Sequence, residues 1–170
     1  MLLVLPCLNE IRAIEEVVDE SLKAGRSFVE EGLISGFDLV VVDDGSCDGS
    51  PVRLRDRRDL RLIELFENRG YGAAIEVGAA AGTQDLVAFM DADGTCDPWA
   101  FRSLLRELDQ GADLALGSRL HEGSSMPWLR RLGNGIFAST LSMLSKRHVS
   151  DVTSGMRVLR RELLESMEKK

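Results

Sequence analysis

Asp91 and Asp93 follow the apolar run at residues 86–90, in the segment VAFMDADGT. Residues i and i+2 of an extended segment point the same way. Two carboxylates held together repel unless a cation sits between them. Mg2+ and Mn2+ take hard oxygen ligands and share their shell with substrate phosphates. Asp, Gly and Thr are also good turn formers, so a plain turn is the competing reading. The position at the carboxyl end of an apolar strand favours the metal.

Four further segments carry unusual polar residues. In VVVDDGSCDGS, Asp43 and Asp44 could accept hydrogen bonds from base N–H groups or ribose hydroxyls, and Gly45 and Gly49 permit sharp turns. Ser46 or Asp48 could equally cap a helix there. ENRGYGAAIEVG offers a glycine-rich turn opening a helix, a ready phosphate site, with Arg69 beside Gly70 and Gly72. It fails as a dinucleotide fingerprint, because Ile75 stands at the third glycine, and close helix–strand packing would use the same small residues. PCLNE presents Pro6, Asn9 and Glu10; Asn9 is as good a helix cap as a ligand contact. Arg119, Arg130 and Arg131 form the one notable basic cluster of the chain. Arginine grips phosphate through paired hydrogen bonds; a solvated face anchored by Trp128 is the alternative. His121 and His148 lack metal-spaced partners, and DVTSGMR at residues 151–157 reads as a loop.

The elements that must position these residues alternate. Strands are expected at residues 2–5, 38–42, 60–65, 86–90 and 112–116. Helical spacing of apolar residues covers 10–31, 71–81, 97–109, 129–146 and 161–168, with Asp97 as cap and Pro98 at the first helical position. A short helix, charged on most faces, is expected at 50–58. Such alternation predicts an α/β fold with a mostly parallel, doubly wound sheet. Ligands of these sheets bind at the carboxyl ends of the strands, where the polar clusters lie.

The chain has 170 residues, 44% apolar and 29% charged, enough for one packed domain and against disorder. Its net charge of −7 argues against general nucleic-acid binding. No run of apolar residues is long enough to span a membrane, and the N-terminus lacks the features of a signal peptide. Cys7, Cys47 and Cys96 are isolated, which fits a reducing, cytoplasmic setting. The helix expected at 129–146, flanked by arginine and lysine, allows peripheral contact at the cytoplasmic face of a membrane.

Taken together, LPCLNE, VVDDGSCDGS, NRGYGAA, MDADGTCDP, GSR, the R-x-x-G-N stretch and DVTSGMRV resemble the motifs of the family 2 glycosyltransferases. The likeness is to the dolichyl- and polyprenyl-phosphate mannosyl- and glucosyltransferases. The motifs stand in the family's order over residues 3–158. This resemblance implies a GT-A fold, a single catalytic domain over 1–170, and Mg2+ or Mn2+ as cofactor. It implies a nucleotide-sugar donor, GDP-mannose or UDP-glucose, and a lipid-phosphate acceptor. By position, Pro6, Asn9, Glu10 and Asp43 would meet the base and ribose. Asp44, Arg69, Gly70 and Gly72 would lie beside the nucleotide. Asp91 and Asp93, with Ala92 between them, would hold metal and donor diphosphate, with Thr95 where the family often supplies a third metal ligand, commonly Gln. Asp93 and Asp151 would stand at the reacting centre, and Arg119, Arg130 and Arg131 would grip the lipid phosphate. Met156 replaces the family's usual aromatic, and the chain stops short of the family's usual length, so a C-terminal truncation is expected.

Two rivals stay open at this level. The DxDGT string also matches the nucleophile loop of HAD-type phosphatases, but that loop normally lies near the N-terminus and needs a later lysine and acidic pair. A non-catalytic, nucleotide-binding relative differs from an active enzyme in lacking metal-dependent turnover.

Overall fold

A computed structural model of the protein describes residues 1–117 and 155–168. Arg119, Arg130, Arg131, Asp151 and the helix expected at 129–146 lie outside the described residues. The strands are β1 (Leu2–Cys7), β2 (Asp38–Asp43), β3 (Arg61–Glu64), β4 (Leu86–Phe89), β5 (Leu114–Leu116) and β6 (Arg157–Arg160). The helices are α1 (Ile14–Glu30), α2 (Tyr71–Ala80), α3 (Phe101–Asp109) and α4 (Arg161–Glu168).

The strands form one sheet in the order β3-β2-β1-β4-β6-β5. β1 runs parallel to β2 and β4, and β2 is parallel to β3. β6 alone is reversed, antiparallel to both β4 and β5. Alternate residues of a strand face opposite sides, so a strand covered on both faces must be apolar throughout. β1 shows this directly. Leu3 and Leu5 pack with Leu39, Val41 and Ala88 under α1 and α3, while Leu2 and Val4 join Val40, Val42, Val87 and Phe89 under α2 and α4.

The helices differ as their partners require. α1 turns Ile14, Val17, Val18, Leu22 and Phe28 to the sheet. α2 instead approaches through small residues: a Cβ at Gly78 would overlap the Val4 side chain. This lets the second half of α2 lie close over β1 and β2. At Asp97 the carboxylate accepts the Trp99 N–H at 3.0 Å, as the sequence predicts, although the first turn, Pro98–Ala100, is a 3-10 turn and α3 begins at Phe101.

Two expectations are corrected. The helix expected at 50–58 shrinks to the 3-10 turn Pro51–Arg53. Without an apolar stripe a helix there has no face to bury, and Leu54 is its lone core anchor. The end of the loop expected at 151–157 enters β6, whose Val158 is fully buried between Ala88 and Ala115.

Candidate active site

The carboxyl ends of β1, β2 and β4 and the first turn of α2 enclose a cavity of about 210 Å³. It is lined by Pro6, Cys7, Leu8, Glu10, Asp44, Tyr71, Ala74, Asp91, Ala92 and Asp93. Four loops meet there, and hydrogen bonds between them fix its shape.

The β1 and β2 loops are bolted together. Asn9 takes a left-handed conformation with φ 59°. Its N–H donates to Ser46 Oγ at 2.8 Å, and its Oδ1 accepts the Cys47 N–H at 2.8 Å. The Glu10 N–H donates to Ser50 Oγ at 2.9 Å and the Ile11 N–H to Asp48 Oδ2 at 2.9 Å. Asn9 therefore ties two loops together and does not cap α1, whose first residue is Ile14.

The β2 and β3 loops are joined as firmly. Gly45 has φ 80°, and a Cβ on it would lie 2.9 Å from the Asn68 nitrogen, so both conformation and space call for glycine. Asp44, buried, accepts the Arg69 N–H at 2.8 Å and the Gly70 N–H at 2.9 Å, one on each oxygen. The charge that sequence reading places beside a nucleotide thus first orders the NRGYG turn. Gly70, at φ 91°, then starts α2. Arg69 and Gly72 are exposed and stand outside the cavity lining.

Asp43 is also buried. Its Oδ2 accepts the Ser46 N–H at 3.0 Å, while its Oδ1 has no hydrogen-bond partner among the described residues. A buried carboxylate oxygen without a donor is costly, and a ligand N–H or hydroxyl would relieve it.

The β4 end carries the acids. The strand stops at Phe89 and the chain then bends, so a turn, and not extended backbone, brings Asp91 and Asp93 to the same cavity. Asp93 Oδ1 accepts both the N–H (2.9 Å) and the hydroxyl (2.7 Å) of Thr95. Thr95 therefore braces Asp93. Asp91 Oδ1 accepts the Tyr71 hydroxyl at 2.9 Å. Burial and the charge of Asp91 push the Tyr71 phenol above its usual range, so it remains a donor. Sequence reading missed this tyrosine. It also missed Gly155, where a Cβ would overlap the Asp91 carboxylate.

The site is electrostatically negative. Glu10 is held above the ordinary carboxylate range by partial burial and by the charges of Asp93, Asp48 and Asp91. A cation would relieve that repulsion. Among the described residues no three His, Cys, Asp or Glu side chains converge as a closed metal site. Two carboxylates with the other positions left to phosphate and water match the way Mg2+ is held, so the donor set fits. Cys7 is no nucleophile here: burial and Asp43 push its thiol up to about 11.

Comparison with known proteins agrees with this geometry. The profile described as glycosyl transferase family 2 matches residues 2–167. An uncharacterized glycosyltransferase of Mycobacterium tuberculosis is 36% identical over 162 residues, covering 95% of this chain and 67% of that protein. The dolichyl-phosphate hexose transferase of Haloferax volcanii is 38% identical over 130 residues, which cover 76% of this chain and 56% of that one. Among solved structures, glucosyl-3-phosphoglycerate synthase from Mycobacterium tuberculosis, in complex with Mn2+, UDP and glucosyl-3-phosphoglycerate, superposes with a TM-score of 0.68 at 25% identity. That match covers 97% of this chain and 58% of the synthase. The sheet order, the acids at the β4 end and a match along nearly the whole chain lead to one conclusion: the chain belongs to glycosyl transferase family 2, a family of enzymes, has the GT-A fold, and resembles the family's polyprenyl-phosphate sugar transferases.

Proposed function

We propose that this chain moves a hexose from GDP-mannose or UDP-glucose to a polyprenyl phosphate, with inversion at the sugar C1 and with Mg2+ or Mn2+ held by Asp91 and Asp93. The observation that carries the reading is that Asp91, Asp93 and Glu10 line one cavity at the carboxyl ends of parallel strands. The names of the relatives support a lipid-phosphate acceptor, and the synthase complex supports a nucleotide and a divalent ion.

Asp43 would accept a donor from the base or ribose through its unpartnered Oδ1. Asp44 holds the turn that, with Arg69, would lie beside the nucleotide. The ion, when bound, would neutralise charge gathering on the departing diphosphate. Arg119, Arg130 and Arg131 would grip the acceptor phosphate, and Asp151 would stand near the reacting carbon. A phosphate oxygen is already ionised at neutral pH and can attack C1 without a strong general base. Most of the acceleration then comes from positioning and charge stabilisation. Contact with the lipid acceptor would be peripheral; among the described residues no helix is long and apolar enough to cross a membrane. We place that contact at the cytoplasmic face.

The test is a calorimetric titration with GDP and with UDP, each with and without Mn2+. Binding of one nucleotide that requires Mn2+ is expected, and it names the donor class. If neither nucleotide binds, the donor reading is wrong for this chain.

A further inference from the structure

Tyr71 has no part in the transfer as described, yet it occupies a pivotal place. It is the first residue of α2, directly after the turn that Asp44 holds through the Arg69 and Gly70 N–H groups. Its ring lines the cavity, and its hydroxyl reaches across to donate to Asp91 Oδ1 at 2.9 Å. The Gly155 backbone packs against the same carboxylate. Gly155 does not adopt a left-handed conformation, so it is lack of space that calls for glycine: any Cβ would overlap the Asp91 carboxylate. Asp91 thus meets both a hydrogen-bond donor and a backbone wall.

We propose that Tyr71 is a positioning residue that fixes the orientation of the Asp91 carboxylate and so sets how tightly the site holds a cation-bound nucleotide. This rests on the reading of Asp91 as a metal ligand. A carboxylate free to rotate must lose that freedom on binding, whereas one already held does not. Carboxylates that ligate metals are commonly fixed by such outer partners, and their loss weakens metal binding about 10- to 100-fold. The same contact joins the two halves of the donor site. Asp44, the NRGYG turn, Tyr71 and Asp91 form one hydrogen-bonded series from the end of β2 to the end of β4. Order in the nucleotide-side turn is therefore transmitted to the metal-side carboxylate.

Tyr71→Phe keeps the ring and removes only the donor. Calorimetry would give the affinity of wild type and variant for GDP and UDP, with and without Mn2+, beside a thermal melt of each without ligand. The expected result is at least a tenfold loss of affinity with Mn2+, with metal-free affinity and Tm as in wild type. Equal affinity with Mn2+ would overturn the positioning role. So would an equal loss with and without Mn2+, which would make Tyr71 a direct nucleotide contact. If the wild type itself shows no dependence on Mn2+, the metal reading of Asp91 fails and the role of Tyr71 falls with it; a wild type that depends on Mn2+ beside an unaffected variant sinks the tyrosine alone.

Discussion

Asp93 spends its hydrogen bonds on its own turn. Thr95 donates twice to Oδ1, and the residue lines the cavity. Asp93→Ala is therefore expected to abolish Mn2+-dependent nucleotide binding, read by calorimetry, and unchanged binding would remove Asp93 from the metal site. Glu10 gives a pH-dependent counterpart. Burial first, then Asp93, Asp48 and Asp91, raise its pKa in the folded state, so the folded protein binds this proton more tightly than the unfolded chain. The stabilisation that proton brings is complete at low pH and is lost as pH rises through the carboxylate range, above about 4. Glu10→Gln removes the penalty. Without metal, the variant is expected to melt higher than wild type at pH 7. The gap should close near pH 3, and at pH 7 Mn2+ should narrow it. These acids were legible in the sequence because Asp–x–Asp after an apolar strand has few uses. Tyr71 was not, because sequence reading of NRGYG attends to its glycines. Nor was Gly155, whose need for a bare Cα arises from a carboxylate 64 residues earlier.

Loops carry the chemistry here, but neighbouring loops hold them still. Asp44 illustrates the scale at which this works. Its carboxylate accepts the N–H groups of Arg69 and Gly70, the two residues just before α2, where no helical carbonyl serves as partner. Asp44→Ala is expected to cost roughly 1–3 kcal/mol in urea unfolding and to weaken nucleotide binding, because two N–H groups lose an acceptor. An unchanged midpoint would show that water replaces the carboxylate without loss. The parallel strands, α1 and α3 were readable from apolar patterning, and α2 from its alanines. The segment at 50–58 was misread because its charges suit a helix while nothing apolar drives one onto the sheet. β6 was missed because RVLR is four residues with charged ends, and its identity as a strand comes from pairing with β4 and β5, far apart in sequence.

For the whole molecule, β6 is the keystone of the sheet. Val158 lies opposite Ala88 on one side and Ala115 on the other and is fully buried. Val158→Asp is expected to destabilise the protein by more than roughly 3 kcal/mol, visible as a large fall in Tm; a variant with wild-type stability would mean that β5 and β6 contribute little to the fold. The sequence predicted the mostly parallel sheet and its site at the strand ends, whereas the reversed strand within it follows from a topology that no local pattern encodes. That order has a consequence for how the protein is made. On the ribosome, β1 to β4 emerge first and can pair with one another, but the β4 edge stays open until about 70 further residues have been added, roughly 3–14 s of synthesis at ordinary rates. During that interval the acids at the β4 end exist without Gly155 against Asp91. The segment that pairs with the β4 edge also supplies Gly155, so in a nascent chain Asp91 meets its backbone wall only once β6 has docked.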